Sequence, residues 1–291
     1  MNFRTDLALE RQEISGAQSI NGVLTETESF QKVQVTRITI TTDEGAELLL
    51  KPKGKYITAH VPSFAHPNEL EKDELNILAK EIKAFLPDKG TILVAGLGNM
   101  QITPDALGPK TASQILSTRH ICKELKKIPG LENLRPVASV SPGVLGQTGI
   151  ETGEIIRGIT DIIKPSAVIA IDALASCSLS HLGTTVQICD TGICPGSGVD
   201  NKRKRLDKKT LGTKVISIGI PTVVDALTLA ADITEKAESN ADLLLSEGEK
   251  MIVTPKEIDL LTEHASKFLA MAINCALQPS VSPEDIFSLV S

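Results

Sequence analysis

The chain has 291 residues, 41% hydrophobic and 23% charged, with a net charge of −6. That balance belongs to an ordinary globular protein with room for a layered core, and it argues against a surface given over to nucleic acid or membrane. Aromatic residues make up only 2%, so the core rests on Ile, Val, Leu and Ala, and stacking platforms for bases are scarce. The five cysteines, at 122, 177, 189, 194 and 275, have no CxxC spacing and indicate neither a zinc site nor a disulfide framework. The start, "MNFRTDLALERQE", lacks the apolar centre of a signal peptide, and no apolar run approaches membrane-spanning length. A cytoplasmic protein is expected.

The first thirty or so residues are polar and read as an arm carrying one short helix near Leu7 to Ile14. From Lys32 to Val61, three short Val/Ile/Thr-rich runs separated by "TDEG" and "KPKG" predict a small antiparallel β-meander. Between His66 and Pro87, residues Leu70, Leu75, Leu78, Ile82 and Phe85 fall at helical spacing before a proline stop. Beyond Pro87, apolar strands are predicted at 91–99, 135–141, 166–174, 185–191 and 214–221. Helices are predicted at 109–127, 153–164, 222–236 and 255–276. Such alternation predicts an α/β fold of three layers, αβα, around a mostly parallel sheet, with the 32–61 meander as an extension of a single domain. Ligand sites in such sheets lie beyond the carboxyl ends of the strands. The basic run "NKRKRLDKK", 201–209, reads as a solvated loop, so no direct nucleic-acid binding is expected.

The stretch "TILVAGLGNMQITPDALGPKT", 91–111, turns on Gly96 and Gly98 after an apolar strand. A dinucleotide fingerprint requires a third glycine where Gln101 stands, and a P-loop requires a Gly-Lys-Ser/Thr ending that is missing. The alternative is a sharp turn that presents Asp105, either as a helix cap or as a chemical group. "AVIAIDALAS" likewise ends an apolar strand on Asp172. Parallel strands bring both acids to one sheet edge, where two close carboxylates cannot both ionise cheaply and hold one proton between them. Such a pair polarises a water for attack on a carbonyl. It would equally suit a divalent cation, with His181 or Asp190 as further ligands. The glycine-rich loop 189–204 reads first as a wide structural turn, with a lip or oxyanion-stabilising edge over the site as its functional alternative; 141–154 is a similar loop beside the same cleft, and Asp225 reads as a first-turn helix acid.

Taken in order, "GLGNMQITPDALGPKT", "SPGVLGQTGIETGEII", "AVIAIDALAS", "DTGICPGSGVDNKRK" and "GIPTVVDA" resemble the germination proteases of endospore-forming bacteria, from Arg4 to at least Asp225. The resemblance implies a fold similar to that of hydrogenase maturation proteases. It also implies an atypical aspartic endopeptidase without cofactor or metal, whose catalytic acids are Asp105 and Asp172, with Gly96, Gly98, Asn99 and Asp190 framing the site. It further implies a homotetrameric zymogen in the cytoplasm of the forespore and spore core, with small acid-soluble spore proteins as substrates. Family cleavage falls after an acid and before a large apolar residue and Ala, with another acid further on. "TDLALE" matches that order, which makes 1–6 a propeptide cut between Asp6 and Leu7 and 7–291 the peptidase domain.

Overall fold

The protein is described from a computed structural model, over residues 5–16, 20–66, 72–121, 127, 132–195, 204–226, 228–230 and 251–290. The arm opens with α1 (Ala8–Ser15), close to the expected helix. The meander exists, as β1 (Val23–Phe30), β2 (Val33–Ile40) and β3 (Gly54–His60), but not from the three runs expected between 32 and 61. β1 comes from the polar stretch before them. Its interior residues are exposed on both faces, so it shows no apolar alternation and depends on its ladder to β2 and the Thr27–Thr36 hydroxyl pair. "DEGAELL", expected to carry a turn and part of a strand, folds instead as α2 (Asp43–Leu49). Thr42 Oγ1 caps it by accepting from Gly45 N at 3.1 Å, and Leu49 is buried.

α3 (Lys72–Phe85) buries Leu78, Ile82 and Phe85 at the expected spacing. Then follow β4 (Ile92–Gly96), a single 3-10 turn at Thr103–Asp105, α4 (Leu107–Ser113) and β5 (Val137–Val140). α4 stops well short of the predicted 109–127 helix. The Asn274 side chain accepts from Leu116 N and donates to Gln114 O, and Thr118 N turns to Val137 O, so the backbone groups needed for further helical turns are already taken. Residues 122–126 of that expectation lie outside the described residues.

Next come α5 (Leu145–Thr148), α6 (Thr152–Ile163), β6 (Ala167–Ser176), β7 (Thr185–Cys189), α7 (Lys208–Leu211) and β8 (Lys214–Asp225). β8 runs through Thr222, Val223 and Val224, where a helix from 222 was expected, because Val223 and Val224 continue its ladder with β6 past a bulge at Thr222. Most of the remainder of that expected helix lies outside the described residues. The chain closes with β9 (Ile252–Val253), α8 (Ile258–Leu277) and α9 (Pro283–Val290).

The strand order is β1-β2-β3-β7-β8-β6-β4-β5, with β9 paired to the end of β8. The central strands β5, β4, β6 and β8 are parallel. β7 runs antiparallel to β8 and to β3, so the meander continues the same sheet. The link from Ser176 to Thr185 is shorter than the dozen or so residues a parallel crossover needs, and β7 therefore reverses.

Two apolar clusters make the three layers. Ile92, Val94, Ile169, Ile171, Ile216 and Ile218 pack under α3, α4 and α8 on one face. On the other face Leu93, Ala95, Val168, Ala170 and Val215 pack under Ile156 of α6 and Leu211 of α7. Among the described residues, no helix is long and apolar enough to cross a membrane.

Candidate functional site

The loop after β4 and the middle of β6 build the site: β6 was expected to end on Asp172 but runs on to Ser176, because Ala173, Leu174, Ala175 and Ser176 continue its ladder with β8. Leu97 N donates to Ile171 O at 2.7 Å, which holds the chain beside β6 for one residue past β4, and Asp172 follows immediately. Gly98 then takes φ +113°, and a Cβ there would stand 2.1 Å from the Asp105 carbonyl oxygen. Only glycine fits this position. The loop is closed by its own acid: Asn99 N donates to Asp105 Oδ2 at 2.7 Å. Asn99 Oδ1 accepts from Gln101 N and Gln147 Nε2, and Thr222 Oγ1 donates to Pro104 O at 2.7 Å, tying the turn to α5 and to β8. Gly98→Ala is expected to cost about 1–3 kcal/mol through overpacking and backbone strain. It should also abolish hydrogen-exchange protection of the Asn99 amide; an unchanged melting temperature with intact protection would refute this account of the turn.

Asp105 and Asp172 line one cavity of about 400 Å³, as do Gly98, Val144, Thr152 and Cys194. Asp172 is buried and its Oδ1 accepts from Ala173 N. The loops expected to frame the edge contribute Val144 and Thr152 from one side and Ile193, Cys194 and Pro195 from the other; residues 196–203 lie outside the described residues.

The arm enters the same cavity with Asp6. Asp6 N donates to Ala175 O at 2.9 Å, and Ala175 N donates back to Asp6 Oδ2 at 3.0 Å. The Asp6 carbonyl oxygen accepts from Lys51 Nζ at 2.7 Å and from Gln187 Nε2 at 2.8 Å. Leu7 and Ala8 are fully buried, worth about 1.5–3 kcal/mol for the Leu side chain alone.

Glu10 is buried too. It accepts from the Thr5 hydroxyl, from Cys177 N and Ser178 N at 2.8 and 3.0 Å, and it meets His181 Nδ1 at 2.9 Å. Burial raises the Glu10 pKa, but these hydrogen bonds outweigh it and hold the carboxyl below its usual range. The bond to Glu10 raises His181 against the opposing effect of burial. Burial and the Glu10 charge push the Cys177 thiol up.

The other residues singled out in the sequence are distributed unevenly. Gly96 packs against the Gly108 carbonyl and lets α4 cross the end of β4. Asp190 lies outside the lining of this cavity, with Oδ1 accepting from Lys55 N, since β7 is antiparallel and its carboxyl end points to the opposite edge. Asp225 Oδ1 accepts from Thr228 N at 3.1 Å, as a helix cap would. Among the described residues, no group of three His, Cys, Asp or Glu is placed to hold a metal ion, and Cys177, Cys189 and Cys275 are free thiols. Gln187 and Lys51 were not singled out in the sequence. The one signal for Gln187 was a polar residue inside the apolar run "TVQIC".

A family model described as germination protease matches residues 4–237. Proteins named germination protease are similar over nearly their whole length. One from Clostridium tetani is 41% identical with both chains fully covered, and one from Clostridium perfringens is 40% identical over 98% of each. One from a Geobacillus species is 35% identical over 98% of this chain and 96% of its own. Among solved structures, the [NiFe] hydrogenase maturation protease HycI from Thermococcus kodakarensis aligns with a TM-score of 0.37 and 18% identity, over 66% of this chain and 98% of its own.

Proposed function

The chain belongs to the germination protease family of peptidases, and on that premise we propose that it is an aspartic-type endopeptidase that trims its own N-terminus between Asp6 and Leu7. In this reading the trimmed enzyme, a homotetramer in the spore core, degrades small acid-soluble spore proteins and makes no contact of its own with their DNA. The observation that carries the reading is that Asp6, Asp105 and Asp172 line one cavity at the carboxyl edge of the parallel strands.

Asp105 and Asp172 share one proton. The ionised partner takes a proton from a water as its oxygen attacks the carbonyl carbon, and the protonated partner gives its proton to the amide nitrogen. The C–N bond breaks, leaving a carboxyl group on Asp6 and an amine on Leu7.

The phosphate-binding alternative is disfavoured by the loop itself. Asn99 N, a donor that a phosphate would use, is bonded to the Asp105 carboxylate. A metal-dependent peptidase would need further ligands, and neither of the two named from sequence, His181 and Asp190, lines the cavity that holds Asp105 and Asp172.

The test is incubation of the full chain at mildly acidic pH in excess chelator, followed by mass spectrometry. A product beginning at Leu7, and digestion of a small acid-soluble spore protein by that product, are the expected results. A chain that keeps Met1 to Asp6 under all activating conditions would sink self-cleavage. Cleavage lost on chelation and restored by a divalent ion would replace the two-aspartate reaction with a metal-assisted one.

A further inference from the structure

Gln187 is a polar side chain in the middle of an apolar strand, 7% exposed, and its position relative to Asp172 follows from strand register. Asp172 on β6 and Gln187 on β7 are both registered to Gly219 of β8, one from each side. Two strand spacings therefore separate them, about 10 Å between backbones. Their neighbours Ile171, Ile218 and Ile188 pack into the core under α8, so Asp172, Gly219 and Gln187 all face the opposite side of the sheet. Gly219 between them carries no side chain because Leu174 packs over it: a Cβ there would lie 2.6 Å from both the Asp172 carbonyl oxygen and Leu174 Cγ.

What Gln187 does is specific. Its Nε2 donates to Asp6 O at 2.8 Å and its Oε1 accepts from Ala8 N at 2.7 Å, so one amide brackets the Asp6–Leu7 peptide bond. The amide orientation is set by the partners, because the reverse would oppose donor to donor and acceptor to acceptor. Lys51 Nζ is the second donor to the same carbonyl oxygen, at 2.7 Å. Lys51 reaches it from the end of α2, where Lys51 N bonds back to Ala46 O and Tyr56 Oη holds Pro52 O. Asp6 also lines a second cavity, of about 270 Å³, together with Lys51, Gln187 and Gly219.

We propose that Lys51 and Gln187 are the carbonyl-binding clamp of this site: together they hold the carbonyl of the bond to be cut and stabilise the negative charge that develops on its oxygen when water adds. Gln187 also fixes the backbone N–H two residues further on. The clamp reads main chain only, so it would serve a protein substrate of any sequence that the side-chain pockets admit. The inference rests on the self-cleavage reading above and adds two residues that touch the reacting group. Water addition places the charge on Asp6 O, and the charge returns to the carbonyl as the bond to Leu7 nitrogen breaks.

The experiment follows the appearance of the chain beginning at Leu7 in the full-length protein, for wild type, Gln187→Glu, Lys51→Met and Lys51→Arg. Gln187→Glu replaces a donor with an anion against the carbonyl and should slow the cut by about 10²–10³-fold, the usual loss for one oxyanion donor. Lys51→Met should slow it comparably, and Lys51→Arg should keep more of the rate than Lys51→Met because the positive donor is kept.

A purely structural lysine would not shift the pH profile. Burial lowers the Lys51 pKa, opposed by Asp6 and Cys189 and reinforced by Arg11 and Arg205. An alkaline limb set by the proton that Asp105 and Asp172 share would be unchanged in Lys51→Arg, so a limb that moves upward in that variant belongs to the Lys51 ammonium. If Gln187→Glu proves poorly folded, the Lys51 pair decides alone. Wild-type cutting at Leu7 with Lys51→Met within a few-fold of wild type would overturn the clamp and leave the two aspartates standing. A wild type that never cuts there would overturn the clamp together with the reading beneath it.

Discussion

Asparagine at either Asp105 or Asp172 is expected to slow peptide-bond cleavage by about 10²–10⁴-fold, the usual worth of a positioned acid or base. A neutral amide neither accepts the water's proton nor delivers one to the leaving nitrogen. The double variant should be scarcely worse than either single one, because groups that share a proton fail as a unit. The fold should survive. At Asp105 the amide oxygen can still accept from Asn99 N, and at Asp172 it can still accept from Ala173 N. Product mass spectra and melting temperatures measured on the same preparations separate chemistry from folding. A variant that keeps full activity removes its residue from the mechanism.

The second large effect concerns the arm. Glu10→Gln breaks a buried, multiply bonded ion pair and leaves His181 without its anion, a change that costs about 3–5 kcal/mol. The cost depends on pH in a definite direction. Glu10 is held below its ordinary value of 4.5, so its contribution is complete above 4.5 and is lost as pH falls through the lowered value. His181 is held above its ordinary value of 6.5, so its contribution is complete below 6.5 and is lost as pH rises through the raised value. The destabilisation should therefore be greatest between those ordinary values and shrink on the alkaline side, where only the hydroxyl and backbone bonds to Glu10 remain.

Two other titrating groups belong to the same surroundings. Glu13 is raised by burial, and His60 is lowered by burial and by the His181 charge. Melting curves of wild type and Glu10→Gln across this range, with hydrogen exchange over residues 5–16, read both effects. A difference in melting temperature that stays flat from acid to alkaline pH would show that His181 contributes no charge to holding the arm.

That Asp105 and Asp172 come to one cavity was legible because their signal is local. Each follows an apolar run whose neighbours dictate a buried parallel strand, and the first also follows a glycine turn that lacks the third glycine of a phosphate loop. The class of fold was legible for the same reason. The arm's helix was legible, but its docking was not: nothing in "TDLALE" says that Leu7 and Ala8 become fully buried or that Glu10 finds two backbone amides beyond β6. β1 was missed because a strand exposed on both faces has no period to detect. α4 was overextended because the residue that stops it, Asn274, is distant in sequence.

The strand direction of β7 shows where local pattern ends. Hydrophobic alternation in "TVQIC" specifies a strand, and it equally allows either direction. Read as parallel, β7 sends Asp190 to the edge that carries Asp105; folded antiparallel, it sends Asp190 away and brings Gln187 level with Asp172. By itself, the amino-acid sequence determined the buried central strands, the glycine turn and the placing of the two acids, since these follow from burial and steric rules acting over a few residues. Only the tertiary structure decided that Lys51, Gln187 and Asp6 meet at one carbonyl oxygen. That meeting depends on the pairing of β3 with β7, the path of the arm and the end of α2, which are contacts between segments remote along the chain.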